Sequence, residues 1–153
     1  MEQRLNPHQK GLPALKALYS VGAYLAKSSI EQPLLHLLYF RVSQINGCAY
    51  CLDMHSKDLR AGGETEQRLY MVAAWREAIV FTDRERAALA WAEAITKITE
   101  GHVPNEVYEE AVKHFSELEL IDLTMAATAI NTYNRINIAF RVPGGTYKVG
   151  QYA

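Results

Sequence analysis

The chain has 153 residues, 49% of them apolar, and its 16 basic and 17 acidic side chains leave a formal net charge of −1. This length suits a single domain, 1–153, that buries its own core, and the apolar content excludes a disordered chain. The balanced charge, without any block of like charges, argues against nucleic acid or a membrane surface as a partner.

The predicted elements are helices from one end of the chain to the other. Helical spacing of apolar residues, with proline, glycine or capping residues at the boundaries, predicts the segments 13–27, 33–46, 47–61, 64–78, 82–98, a short helix after Pro104, and 116–141. Thr82 with Glu85, and Ser116 with Glu119, match the capping-box pattern. Because no segment shows sustained period-two alternation, the predicted fold class is all-α, a bundle of about six to eight helices.

The last predicted helix carries apolar residues around more of its circumference than one buried stripe needs. These residues are Leu118, Ile121, Leu123, Met125, Ile130, Ile136, Ile138 and Phe140. Such a helix is either central to a monomeric bundle or shared with another subunit. We expect a homo-oligomer.

Two features of the sequence bear on the compartment. No stretch approaches the roughly 20 apolar residues of a membrane span. The N-terminal residues lack the long apolar run of a signal peptide. We therefore expect a cytoplasmic protein, in a compartment where thiols are usually kept reduced.

The two cysteines lie close together in the stretch "SQINGCAYCLDMHSKDLRAGG", from Ser43 to Gly63, and His55 follows the second of them. The pair could be a structural bridge, part of a metal site, or a working redox pair. A disulfide stabilises mainly by restricting the unfolded chain, and the effect shrinks with the loop that it closes. Because a bridge from Cys48 to Cys51 closes a very small loop, chemistry accounts for the pair better than stability does.

The spacing also indicates how the three groups could work together. On one helix, Cys48, Cys51 and His55 fall within a sector of roughly 60°, at about 100° per residue. Asn46 can cap that helix. The positive N-terminal end of the helix dipole favours thiolates in the first turns. His55 can reach Cys51 directly or through a water and accept its proton.

These positions predict separate roles for the two thiols. Cys51, which has the base, is the candidate nucleophile, and a hydroperoxide would oxidise it to a sulfenic acid. Cys48, at the helix tip, is the candidate resolving thiol that condenses with the sulfenic acid to a disulfide. An external dithiol would then reduce the disulfide by exchange.

Core packing and zinc binding account for the cysteines less well than redox chemistry. A free cysteine can simply pack as a small apolar residue, but His55 on the same face argues against that. A zinc site could use both cysteines with His55 and His36, but a second CxxC or an HxxxH is missing from the sequence. We therefore expect neither a metal nor a cofactor.

The motif also carries a resemblance to a known family. The segment "FRVSQINGCAYCLDMHSKDLRAGG", followed by "WREA", "ERAALAWAEAIT" and "NTYNRINIAF", resembles the alkylhydroperoxidase AhpD-like branch of the carboxymuconolactone decarboxylase superfamily. The similarity covers roughly residues 30–142. It implies an all-helical fold assembled into homotrimers or homohexamers, with active sites near the subunit interfaces.

The resemblance also implies an activity and the residues for it. Members of this branch reduce alkyl hydroperoxides with electrons from a dithiol, such as a lipoyl group on another protein. Their second motif cysteine, here Cys51, attacks the peroxide; the first, here Cys48, resolves it; and the motif histidine is His55. A relay glutamate in the family is replaced by His36, which can also pass a proton. Tyr50 stands where some relatives carry another relay histidine.

The sequence leaves alternative functions open. One alternative is a general dithiol–disulfide oxidoreductase without a preference for peroxide. Another is a non-enzymatic redox sensor, or a helical protein whose CxxC pair switches its assembly. Lactone decarboxylation, which names the superfamily, has no need of a thiol pair.

Overall fold

The computed structural model describes residues 2–151, and these residues form helices and connecting turns without a β-strand. The α-helices are α1 (Pro7–Lys10), α2 (Leu12–Leu25), α3 (Gln32–Asn46), α4 (Ala49–Ala61), α5 (Glu66–Met71), α6 (Asp83–Thr96), α7 (Asn105–His114) and α8 (Glu117–Phe140). Short 3-10 turns lie at Val72–Ala74 and Ile98–Glu100. The all-α prediction is confirmed.

Helix α3 lies at the centre of the bundle, in contact with α4, α6 and α8. Helix α6 packs in turn against α7 and α8. The core between these helices is apolar and fully enclosed, with Leu35, Leu38, Val42, Leu123 and Ala127 almost without exposed surface. The helix that carries both cysteines therefore rests on the central element of the fold.

Both capping boxes form as predicted. The Thr82 hydroxyl accepts from the Glu85 backbone N–H while the Glu85 carboxylate accepts from the Thr82 N–H, and Ser116 and Glu119 repeat the arrangement. These reciprocal bonds satisfy backbone donors that a helix end leaves without partners. They fix where α6 and α8 begin.

The predicted helix over residues 64–78 is shorter than expected. The α-helix ends at Met71, and the chain continues through a 3-10 turn and further turns. The Arg86 guanidinium accounts for this, because it donates hydrogen bonds to the backbone carbonyls of Trp75, Arg76 and Ala78. Those carbonyls are thereby satisfied without a regular helix. The short helix α1 was not predicted.

The segment after α8 folds back onto α4. The Asp53 carboxylate accepts hydrogen bonds from the backbone N–H groups of Gly145 (2.8 Å) and Tyr147 (3.0 Å), and the Lys57 amine donates to the Tyr147 carbonyl. Gly144 lies so close to the cysteine helix that a Cβ atom there would stand 2.6 Å from the Ala49 carbonyl oxygen. This contact requires glycine.

The apolar residues of helix α8 are divided between the buried core and the exposed surface. Leu123 and Ile130 are buried in the core, whereas Leu118, Ile121 and Met125 form an exposed apolar stripe on the first half of the helix. Exposed contiguous apolar residues of this kind are typical of interaction surfaces. The homo-oligomer, as a trimer or hexamer, stays a prediction.

Ile121→Asp should reduce the assembly size if this stripe is the subunit interface, because a carboxylate cannot be buried there without a partner. Sedimentation velocity measures the outcome. Ile79→Asp is the matched control, since Ile79 is 97% exposed and lies outside the stripe, and it should leave the assembly intact. A wild-type chain that sediments as a monomer would contradict the prediction.

Candidate functional site

The cysteine helix begins at an abrupt break in the chain. Gly47 ends α3 in the left-handed conformation, with φ of 69°, which favours glycine. Cys48 then caps α4, and its sulfur accepts a hydrogen bond from the Cys51 N–H. The prediction that Asn46 caps this helix is wrong, because Asn46 is still the last residue of α3.

Asn46 instead joins a buried amide network that holds the end of α3 against α8. Its side-chain NH₂ donates to the side-chain oxygens of Asn131 (2.9 Å) and Asn134 (2.8 Å). Asn134 donates to the Ser43 hydroxyl, and Asn131 to that of Thr96. These hydrogen bonds pair the polar residues of α8 within the bundle and fix where the cysteine helix starts.

The two cysteines form a disulfide bond, with their Cα atoms 5.4 Å apart. Each residue is only 1% exposed. Asn137, reaching across from α8, donates its side-chain N–H to the Cys51 sulfur at 3.4 Å. The redox-active candidate is thus a buried pair with a polar donor aimed at the sulfur of Cys51.

A cavity of about 520 Å³ lies beside this pair. Its walls are mostly apolar and aromatic, and they consist of His8, Tyr19, Gly22, Leu25, Tyr39, Tyr50, Cys51, Met54, His55, Ala129, Ile130, Tyr133 and Asn137. Cys51 lines the cavity and Cys48 does not. A molecule in this cavity would therefore meet the sulfur of Cys51 first.

Two cavity tyrosines are held in their neutral form. Burial raises the pKa of Tyr39 to about 12, and it raises the pKa of Tyr133 to about 12 as well. Their hydroxyls can therefore act as hydrogen-bond donors at neutral pH. The cavity thus combines an apolar lining with a few polar groups, which is typical of small-molecule sites.

His55 lies on the same cavity wall, 5% exposed. Burial, together with the neighbouring His36, lowers the pKa of His55 to about 3, so the ring is neutral at physiological pH. Neither ring nitrogen has a hydrogen-bond partner among residues 2–151. His55 makes no direct hydrogen bond to Cys51, whose sulfur is part of the disulfide and carries no thiol proton; the contact through a water stays a prediction.

His36, on the neighbouring helix α3, lies next to His55 and does not line the cavity. The two ring centroids are 5.9 Å apart, and the Tyr39 ring is 5.3 Å from that of His55. Burial lowers the pKa of His36, opposed in part by the Asp58 carboxylate. His36 and Asp58 line a second cleft of about 430 Å³.

The comparisons with known proteins agree with this architecture. The model of the carboxymuconolactone decarboxylase family matches residues 13–94. The chain belongs to this family. The uncharacterised protein YdfG of Bacillus subtilis is 40% identical to this family member over 139 residues, covering 91% of this chain and 95% of YdfG.

A solved structure from Agrobacterium tumefaciens is also similar to this family member. It is a protein of unknown function, ATU0492, described as a candidate antioxidant defence protein AhpD; it is 40% identical, has a TM-score of 0.91, and the match covers 95% of this chain and 100% of that one. The alkyl hydroperoxide reductase AhpD of Streptomyces coelicolor is 38% identical over 69 residues, which is 43% of this chain and 39% of that protein. The predicted AhpD-like membership of the superfamily is confirmed.

The family member's site contains residues that the sequence did not single out. Asn137 and His8 lie on the cavity wall although they are remote from the CxxC motif along the chain. The Nδ1 atom of His8 lies 3.2 Å from the Tyr19 hydroxyl. No local pattern could have placed these residues, since their positions depend on how α1 and α8 pack. The catalytic roles predicted for Cys48, Cys51, His55 and His36 stay predictions.

Within residues 2–151, no helix is both long enough and apolar enough to span a membrane.

Proposed function

We propose that this protein is a thiol-dependent peroxidase that reduces hydroperoxides with the Cys48–Cys51 pair. The observation that carries the proposal is the disulfide itself, because its Cys51 end opens into an apolar cavity beside a neutral imidazole. A redox pair buried next to a cavity can meet a small apolar oxidant while excluding bulk water. The similarity to proteins named for alkyl hydroperoxide reduction and antioxidant defence supports the same activity.

The reaction begins with the pair reduced. His55 takes the proton of the Cys51 thiol, and the thiolate attacks one oxygen of the hydroperoxide. The O–O bond breaks, Cys51 becomes a sulfenic acid, and the departing alkoxide receives a proton from the His55 imidazolium to leave as an alcohol. Proton exchange between His55 and solvent can run through His36, which lies next to it and lines the second cleft.

The second half of the cycle closes the disulfide. The Cys48 sulfur attacks Cys51, the S–O bond breaks, and the oxygen leaves as water with the proton released from Cys48. An external dithiol then returns two electrons and two protons by thiol–disulfide exchange. A lipoyl group on a partner protein is a dithiol of suitable chemistry.

The test is peroxide consumption by the wild-type protein with cumene hydroperoxide and dihydrolipoamide. Many equivalents of peroxide per subunit are expected. Consumption that stops after one equivalent identifies a redox sensor instead. Reduction of disulfide substrates without peroxide turnover identifies a general oxidoreductase.

Asn137→Ala should lower the rate constant for oxidation of the reduced protein by about tenfold, which is the loss expected for one hydrogen bond to a charged group. The side chain donates to the Cys51 sulfur and would stabilise a thiolate there. Stopped-flow oxidation by cumene hydroperoxide measures the effect. Asn105→Ala, at an exposed asparagine on α7, is the matched control and should behave as wild type. An unchanged rate in Asn137→Ala would exclude this role.

A further inference from the structure

A second cluster of chemically competent side chains lies where α3 and α4 face each other. His36, His55 and Asp58 each offer one ligand atom, and these three atoms lie within 4.8 Å of one another. His55 and Asp58 are three residues apart on α4 and so share one face of that helix, while His36 reaches them from α3. We propose that these residues form a binding site for a divalent transition-metal ion, with Zn²⁺ as the ion that suits them.

The unsatisfied nitrogens of the cluster are an independent observation. Both ring nitrogens of His55 and Nδ1 of His36 are buried without a hydrogen-bond partner among the described residues. Buried polar atoms are nearly always satisfied, so three such atoms in adjacent rings require a cause. A metal ion would satisfy one nitrogen of each ring, because it accepts the lone pair of each neutral imidazole.

The third ligand of the set is a carboxylate held by a neighbouring hydroxyl. The Asp58 carboxylate supplies the one negative charge of the set. Its two oxygens share the single proton of the Tyr147 hydroxyl, at 2.9 and 3.2 Å, and such a hydroxyl is a suitable outer-shell partner for a ligating carboxylate.

The donor set points to the class of ion. Two imidazole nitrogens and one carboxylate oxygen are borderline ligands that suit Zn²⁺, at bond lengths of about 2.0–2.2 Å. Small side-chain rotations would draw the ligand atoms in from their present separation. His36 and Asp58 line the second cleft, which gives these two ligands access to solvent.

This site differs from the zinc site considered for the sequence, which would use the cysteine sulfurs. Those sulfurs are bonded to each other, so the cluster of His36, His55 and Asp58 would bind metal in the oxidised protein. A bound ion would also occupy a lone pair of His55. Metal binding is therefore expected to slow peroxide reduction, although the site can be tested without any activity.

The experiment titrates Co²⁺ and Zn²⁺ into the metal-free, oxidised protein, followed by visible absorption for Co²⁺ and calorimetry for Zn²⁺. One ion per subunit is expected, with a cobalt spectrum that lacks thiolate charge-transfer bands. Asp58→Asn and His36→Gln should each weaken binding by about tenfold or more. Circular dichroism establishes that each variant is folded. Because the two substitutions lie on different helices, the test can still be made if one variant does not fold.

His114→Gln is the matched control, because it removes a histidine that pairs with Glu110 outside the cluster. It should bind both ions as the wild-type protein does. The absence of stoichiometric binding to the wild-type protein would overturn the proposal. Binding that survives both Asp58→Asn and His36→Gln, or that shows thiolate bands, would overturn it as well.

Discussion

Cys51→Ser should abolish peroxide reduction, lowering the rate by at least about a thousandfold, as the loss of a catalytic nucleophile does. Cys51 is the one cysteine that lines the cavity, and it receives the Asn137 hydrogen bond. A serine hydroxyl in its place is neither ionised at neutral pH nor able to accept an oxygen atom from a peroxide as sulfur does. The measurement is peroxide consumption with dihydrolipoamide as the electron donor.

Cys48→Ser is the informative companion to that variant. It should react once with cumene hydroperoxide at a rate near that of the wild type and then stop, because Cys51 sulfenic acid has no partner thiol. Dimedone labelling and mass spectrometry detect the sulfenic acid on Cys51. A single-turnover oxidation as fast in Cys51→Ser as in Cys48→Ser, or a label on Cys48 in Cys51→Ser, would contradict the assigned roles.

Glu93→Ala should destabilise the fold by about 3 kcal/mol, because it removes a buried carboxylate and leaves the largely buried Arg41 without its counter-charge. The Glu93 carboxylate accepts hydrogen bonds from Arg41 Nε (2.7 Å), Trp75 Nε1 (2.9 Å) and an Arg76 guanidinium N–H (2.6 Å). These bonds join α3, α6 and the turn after α5. Urea unfolding followed by circular dichroism measures the loss.

The same cluster predicts how stability depends on pH. Burial opposes ionisation of Glu93, but the hydrogen bonds from Trp75, Arg41 and Arg76 outweigh it, so its pKa lies below the ordinary value of 4.5. A lowered pKa in the folded state contributes stability above the ordinary value, and this contribution is lost as the pH falls through the folded value. The difference between wild type and Glu93→Gln should therefore shrink in that acid range.

Glu110→Ala is the control for both measurements. Glu110 forms an exposed pair with Lys113, and such pairs contribute little to stability. This variant should unfold close to wild type. If it lost as much stability as Glu93→Ala, or if the Glu93→Gln difference stayed constant through the acid range, the buried cluster would not be the cause.

Much of the fold could be predicted because its determinants are local. The two capping boxes act over three residues, and Gly47 needs only its own backbone freedom to end α3. Amphipathic spacing likewise places the helices without knowledge of their neighbours. The helix broken after Met71 could not be predicted in this way, since its carbonyls are satisfied by Arg86 from the next helix.

The residues of the candidate site likewise fall into those set by local sequence and those set by helix packing. Cys48, Cys51 and His55 could be grouped from the sequence because they lie close together along the chain, at and within one helix. Asn137 could not be found, since its bond to Cys51 spans 86 residues and depends on the packing of α8. The capping role of Cys48 could not be predicted because the sequence offers Asn46, a stronger capping residue, two positions earlier.

The burial of the disulfide restricts which thiols can reduce it. Neither cysteine presents more than 1% of its surface, so the flat face of another folded protein cannot touch either sulfur. Thiol exchange needs the incoming sulfur in line with the bond, and the cavity wall at Cys51 is where such a sulfur can arrive. For the proposed peroxidase we therefore expect the electron donor to be a slender dithiol, either free or carried on a long flexible tether, and not a thiol on the surface of a folded protein.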